Sequence, residues 1–253
     1  MNRLQGIQAV RSQLQTGKPT IGSWMQIADT NVAELMARAG YQWIALDLEH
    51  GHFSQHQLPD LFRAIELGGA LPLARVASPT VINCRQALDG GAAGVVIPMI
   101  TSASQLEPLV SGCHWPPKGT RGVGFCRANG FGAQFEDYRE EAQSALVIAQ
   151  IEHVDAIAQL DAIVAVEGLD AVIIGPYDLS ASLGRTGDLT HPDVLGAIEA
   201  IRSACQRSAK PVGTHIVSPN TDILQMRINE GYQFIAYGVD TVFLREAAIA
   251  PQP

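Results

Sequence analysis

Eight times along this chain a short apolar run is followed by a segment with helical spacing, and no stretch of different composition separates the repeats. A near-continuous apolar run reads as a strand buried on both faces, and a helix between two such runs is what a parallel crossover needs. The runs are Thr20–Met25, Gln42–Asp47, Leu71–Val76, Gly94–Pro98, Ala145–Ile151, Leu169–Gly175, Pro211–Ile216 and Gln233–Tyr237. Helical patterns fall at 3–16, at Asn31–Ala39 ahead of Gly40, from the capping Ser54 to Leu67, and at Thr80–Leu88, Ala103–Ser111 and Glu136–Gln143; further ones follow the later runs. The segment 112–133 holds six glycines and two prolines without a period and is expected to be loop. The pattern predicts an α/β chain forming one (β/α)8 TIM barrel over 1–253, with 1–19 a lead-in helix and 239–253 a C-terminal helix. A doubly wound open sheet is the alternative.

Charge and composition narrow the partners. A net charge of -8 leaves no broad surface for nucleic acid or an anionic membrane. With 47% hydrophobic residues there is enough for one large core. Cys84, Cys113, Cys126 and Cys205 form no C-x-x-C pair and read as free thiols in a reducing compartment. No signal-like start and no run of eighteen apolar residues occurs, so the expectation is a soluble cytoplasmic protein.

In a barrel, chemistry is carried at the C-terminal ends of the strands. Those ends carry Asp47, Glu49, His50 and His52 after the second run, Arg75 in the third, Glu152 after the fifth, Asp178 after the sixth, His215 in the seventh and Asp240 after the eighth. Adjacent parallel strands place Glu152 and Asp178 side by side. Two carboxylates in one place attract a hard divalent cation such as Mg2+ or Mn2+, with Co2+ a further candidate. The residues alone leave open that Glu152 caps a helix and Asp178 sits in a Gly-Pro turn. Arg75 offers a fixed fork for a carboxylate or developing oxyanion, and a neighbouring His exchanges a proton near neutral pH. Lys18, Lys118 and Lys210 lie outside the strands, which disfavours a Schiff-base mechanism.

Six strings, DLEHG at 47–51, LARV at 73–76, RGVG at 121–124, AQIEH at 149–153, GPYDLSASLG at 175–184 and YGVDT at 237–241, resemble the class II 2-oxo-acid aldolases of the HpcH/HpaI family. The resemblance runs from about Gly22 to Ala247. It implies a divalent-metal-dependent aldolase that cleaves or forms a 4-hydroxy-2-oxo acid through a pyruvate enolate and an aldehyde. It further implies Glu152 and Asp178 as metal ligands, Arg75 as the holder of the enolate, and His50 as the acid/base oriented by Asp89, across a subunit boundary. Gly175, Pro176, Arg121 and His215 are then substrate-side residues, with Asp47 and Glu49 behind them. Family members are similar in forming trimers of dimers with exchanged C-terminal helices, so a homohexamer is expected. This sequence departs from the heptanedioate enzymes at His215, where they look apolar, and that predicts a compact polar pocket taking short hydroxylated aldehydes.

Two other functions fit the same strings: a condensation of the enolate giving a carboxylic acid, as in metal-dependent citrate-forming relatives, and a non-catalytic barrel that binds a 2-oxo acid. Arg121 reads as ordering the long loop against the rim, with substrate contact the lesser reading. Gly122 and Gly124 make a weak anion nest. His52, His56, His114 and His191 read as solvated loop or helix-cap residues, and Trp24, Trp43 and Trp115 as packing.

Overall fold

The computed structural model describes residues 2–251, so the extreme ends of the expected 1–253 domain, including the last two residues of the 239–253 segment, lie outside the described residues. In chain order the elements are α1 (Arg3–Gln15), β1 (Thr20–Met25), α2 (Thr30–Arg38), β2 (Trp43–Asp47), α3 (Leu58–Gly68), β3 (Leu71–Arg75), α4 (Val81–Gly90), β4 (Gly94–Ile97), α5 (Ala103–Cys113), α6 (Phe135–Ala142), β5 (Leu146–Ile151), α7 (Leu160–Val164), β6 (Ala171–Ile174), α8 (Pro176–Ser182), α9 (Pro192–Arg207), β7 (Val212–Ile216), α10 (Thr221–Asn229), β8 (Phe234–Val239) and α11 (Asp240–Ala247). Each strand pairs in parallel with the next, and β8 pairs with β1, closing a single (β/α)8 barrel.

Alternation along the strands sorts the apolar residues into two cores. Trp43, Ala45, Leu71, Leu73, Leu146, Ile148, Ala171, Ile173, Phe234 and Ala236 point inward and fill the barrel. Their neighbours Ile44, Leu46, Ala74, Val147, Ala149, Val172, Ile174 and Ile235 point outward and pack under the helices. The interior fits large residues against small ones. Trp43 stacks on Phe234 with ring centroids 4.2 Å apart, and any Cβ at Gly22 would strike the Trp43 indole. Ile7, Val10 and Leu14 of α1 join the inner core and plug its N-terminal end. Arg11 of α1 donates to Asp170 Oδ1 at 2.7 Å, tying that plug to the loop before β6.

Several boundaries differ from the sequence expectation. Ser54 caps a short 3-10 turn, Gln55–Gln57, and the α-helix starts only at Leu58, with Pro59 in its first turn. The segment between β5 and β6 is a 3-10 turn, Val154–Gln159, followed by the short α7. Within the expected loop 112–133, residues Arg127–Gly132 form another 3-10 turn, and Trp115, Ala128, Tyr138 and Ala142 make a small separate core. His114 is the C-cap residue of α5, in line with the helix-cap reading, but it is not solvated. It is buried, with Nδ1 2.9 Å from the Val110 carbonyl and Nε2 3.1 Å from that of Ala145. His191 does cap its helix, accepting from the Asp193 N–H. All four cysteines are free, and among the described residues no helix is long and apolar enough to cross a membrane.

The plug has a measurable consequence. Replacing the fully buried Ile7 with Ala leaves a cavity at the barrel floor and should cost about 2–4 kcal/mol. The exposed Leu35→Ala should change stability by no more than about 0.5 kcal/mol. Urea unfolding followed by tryptophan fluorescence checks both, and equal midpoints for the two variants would remove α1 from the core.

Candidate active site

The same alternation that fills the barrel places polar groups at its mouth. Continuing the inward series by one step at the C-terminal ends of the strands reaches Gln26 after Trp24, Asp47 after Ala45, Arg75 after Leu73, and Gln150 then Glu152 after Ile148. His215 and Gly175 stand at the matching ends of β7 and β6. The cavity enclosed there has a volume of about 320 Å3 and is lined by, among others, Trp24, Gln26, Asp47, His50, Arg75 and Gln150 on one side and Gly175, Pro176, Asp178 and His215 on the other.

Arg75 is held from two directions. Its Nε donates to Asp47 Oδ1 at 2.8 Å and its Nη2 to Asp47 Oδ2 at 2.6 Å, a bidentate pair buried at the barrel mouth. Gln26 Nε2 donates a third bond to Asp47 Oδ2 at 2.8 Å. Burial opposes the Asp47 charge, but the guanidinium and the carboxamide outweigh it, and the carboxyl stays below its ordinary range. Asp47 Oδ1 also accepts from the Glu49 and His50 backbone N–H groups, so one carboxylate fixes both the guanidinium and the loop that carries His50. The Arg75 guanidinium lies 5.0 Å from the Trp24 ring centroid.

Glu152 is 1% exposed. Its Oε1 accepts from the Met99 N–H at 2.8 Å, and Gln150 Nε2 donates to its Oε2. Met99 has φ 54°, a left-handed conformation that a non-glycine residue adopts at a cost of about 1–2 kcal/mol, and it turns that N–H onto the carboxylate. Gly175 is required opposite, because a Cβ there would collide with the Glu152 carboxylate. Burial pushes the Glu152 carboxyl up to about 7, against the two hydrogen bonds, and the charges of Glu49 and Asp178 add to the rise. Burial also raises Glu49, whose Oε2 lies 3.3 Å from Arg75 Nη1 yet has no hydrogen-bond partner. Asp178 is exposed in the first turn of α8.

The donor set suits a hard divalent cation. Carboxylates of Glu49, Glu152 and Asp178 sit within electrostatic reach of one another, and a buried oxygen is left without a partner. Among the described residues no three His, Cys, Asp or Glu side chains converge as a cage. An ion here would therefore be held by two carboxylates and complete its shell with water and substrate oxygens, the habit of Mg2+.

Not every expected residue is at this mouth. Asp89 lies in a different cavity with Gln55, Arg85 and Gly122, where burial raises its carboxyl despite nearby Arg121 and Arg85. Arg121 is buried outside the barrel mouth; its Nη2 donates to Tyr138 Oη at 2.8 Å and its guanidinium lies beside the Trp115 and Tyr138 rings. Within one chain neither reaches His50 or the cavity. The residues sequence reasoning missed are Gln26, Trp24, Met99 and Gln150. Gln150 was legible, since it stands two residues before Glu152 on the same face. Met99 was not, because no local signal announces a left-handed methionine.

Comparison with known proteins gives a coherent set. The family model described as HpcH/HpaI aldolase/citrate lyase matches residues 20–247. A hydroxypyruvate/pyruvate aldolase of Roseobacter denitrificans is 35% identical over 92% of this chain and 91% of its own length. A 4-hydroxy-2-oxo-heptane-1,7-dioate aldolase of Salmonella dublin is 35% identical over 96% of this chain and 92% of its own. The crystal structure of an HpcH/HpaI aldolase/citrate lyase family protein from Burkholderia cenocepacia superposes with a TM-score of 0.88 at 30% identity, covering 94% of this chain and 95% of that one.

The raised Glu152 carboxyl makes a prediction about the metal-free protein. A carboxyl whose folded value lies above its unfolded one stabilises the fold fully below about 4.5 and loses that contribution as pH rises through about 7. In chelator, the wild type should therefore lose stability relative to Glu152→Gln between pH 5 and pH 8, by on the order of 1–3 kcal/mol. Parallel urea midpoints for the two proteins across that range would show that Glu152 carries no such burden.

Proposed function

The chain belongs to the HpcH/HpaI aldolase/citrate lyase family and is an aldolase acting on 2-oxo acids, and from that premise we propose a divalent-metal-dependent enzyme that cleaves or forms a 4-hydroxy-2-oxo acid by way of a pyruvate enolate and an aldehyde. The observation that carries this reading is the meeting of Arg75, His50, Asp178 and Gln150 around one cavity, with the buried Glu152 carboxyl behind it near Asp178. A binding protein has no use for an exposed imidazole beside an enolate holder, and the named relatives are aldolases.

Glu152 and Asp178 are the proposed holders of a divalent ion, Mg2+, Mn2+ or Co2+, which when bound would polarise the keto and carboxylate oxygens of the 2-oxo acid. Gly175 and Pro176 form the wall on which the carboxylate rests, beside first-turn N–H groups of α8 that have no acceptor within the helix. His50 takes the proton of the C4 hydroxyl; the C4 oxygen becomes the aldehyde carbonyl, the C3–C4 bond breaks, and its electron pair passes to C3 and the C2 oxygen. Arg75, pinned by Asp47 and Glu49, donates hydrogen bonds to that oxygen as its charge develops. Return of a proton to C3 gives pyruvate. Synthesis runs the same steps backwards.

Asp89 enters this reading only from a second copy of the chain, because within one chain it opens on another cavity. The proposed assembly is a trimer of dimers. Apolar side chains exposed near the end of the chain, Leu244 and Ile249, support exchange of the segment 239–253 between subunits.

Two measurements test the reading. Chelation should abolish cleavage and added Mg2+ or Mn2+ should restore it, while Asp178→Ala should lose both metal binding, read by calorimetry, and turnover; full turnover in excess chelator sinks the metal. His50→Ala should still bind pyruvate with the metal but cleave about 10²–10⁴-fold more slowly. Wild-type kcat in that variant would hand the proton to some other base.

A further inference from the structure

We propose that His215 is the specificity-determining residue that selects a substrate hydroxyl in the mouth cavity, accepting its hydrogen bond through an unprotonated Nδ1. The inference rests on the aldolase reading above and adds to it the chemistry of the group the site selects.

The tautomer follows from the partner. Nε2 of His215 lies 3.3 Å from the Gly238 carbonyl oxygen, and against a carbonyl only an N–H forms a bond, so Nε2 carries the proton. Nδ1 then keeps its lone pair. It bonds to no described residue and, unlike the orphaned Oε1 of Gln150, it is not sealed off, while the ring itself lines the mouth cavity. Burial lowers the imidazole to about 4, with the neighbouring Arg75 charge acting in the same direction and Asp47 against it, so at neutral pH the ring has no second proton to give. The orientation is fixed on the other side by the Trp24 indole, edge-on at 5.9 Å and 84°.

Position sets the range of this acceptor. The imidazole packs at right angles to the Trp24 ring and the Arg75 guanidinium lies 5.0 Å from that ring's centroid, so both groups neighbour one indole. A hydroxyl that reaches Nδ1 therefore belongs to a substrate bound in the same cavity as the Arg75 guanidinium. Val217, Val239 and Val242 supply apolar wall around it. A methyl group in the hydroxyl's place would leave Nδ1 desolvated without a donor. A carboxylate tail would find no proton there at all.

The hydroxyl can belong to the aldehyde or to the 2-oxo acid, and two isosteric pairs separate these sources. With pyruvate as donor, glycolaldehyde is compared with propanal; with propanal as fixed acceptor, hydroxypyruvate is compared with 2-oxobutanoate. In the wild type with Mn2+, the hydroxylated member of at least one pair should be favoured in kcat/KM by about tenfold or more. The pair that shows the preference identifies which substrate carries the group. His215→Leu should erase the preference, and His215→Gln, whose amide oxygen also accepts, should retain it. Because each comparison is a ratio within one protein, a partly misfolded variant does not distort it. No preference in either pair for the wild type, or an unchanged preference in His215→Leu, overturns the assignment. Failure of the wild type to exchange the pyruvate methyl protons with D2O, together with no turnover of any pair, overturns instead the aldolase reading, and this inference with it.

Discussion

A strand in a closed barrel has one inward and one outward face, and residues must take them in turn. In this chain that constraint sorts the buried apolar residues of the strands between two cores, one inside the barrel and one under the helices. It also decides where polar groups can stand. Inside the barrel Trp43, Phe234, Leu73 and Ile148 leave no room for charge; one step beyond, the inward positions belong to Gln26, Asp47, Arg75, Gln150 and Glu152. The mouth is thus the first layer at which inward-facing groups can be paired with one another and with solvent. The site is the continuation of the core by other residue types.

Pairing then sets the electrostatics of that layer. Asp47 and Arg75 are both buried, and such a pair persists only when its hydrogen bonds are complete. Here they are nearly so, with two bonds between the partners and a third from Gln26. Glu152 is the opposite case. It has hydrogen bonds from Met99 and Gln150 but no ion-pair partner among the described residues, Arg75 acting on it only from beyond contact, and its neighbours Glu49 and Asp178 bear the same charge. One carboxyl is therefore driven down at the cavity wall and the other up behind it. That contrast, one carboxylate paired to a fixed guanidinium and one carboxyl raised to about 7, is what supports the proposal of a divalent ion at Glu152.

Sequence carried the strands well because their apolar runs are uninterrupted and their polar ends are abrupt, as in WIALD followed by LEHG or AQI followed by EH. Helix starts were less legible. Pro59 sits in the first turn of α3 and the capping Ser54 belongs to a separate turn, so the cap signal falls three residues ahead of the α3 cap at Gln57. The long segment after α5 was least legible, since its path depends on tertiary contacts. Arg121 sits in RGVG without apolar periodicity, and nothing local says that it will pack between Trp115 and Tyr138. His114 likewise follows no pattern; its buried ring bridges the Val110 carbonyl in α5 and the Ala145 carbonyl just before β5, segments far apart in the chain.

The seam where the barrel closes reaches into the chemistry. Asp240, at the start of α11, accepts hydrogen bonds from the Gln26 and Ile27 N–H groups at 2.9 and 2.8 Å, so it fixes the chain as it leaves β1. Thr241 donates its hydroxyl to Gln26 Oε1 at 3.1 Å, which leaves the Gln26 Nε2 no orientation but toward Asp47. Asp47 in turn sets the plane of the Arg75 guanidinium and the turn that carries His50. The junction of the last strand with the C-terminal helix is thereby linked, through Thr241, Gln26 and Asp47, to Arg75 and His50, the two groups proposed to hold the enolate and to move the proton. Any rearrangement of that helix, including its exchange with a neighbouring subunit, must preserve the register of Asp240 and Thr241, because the geometry of Arg75 is built on it.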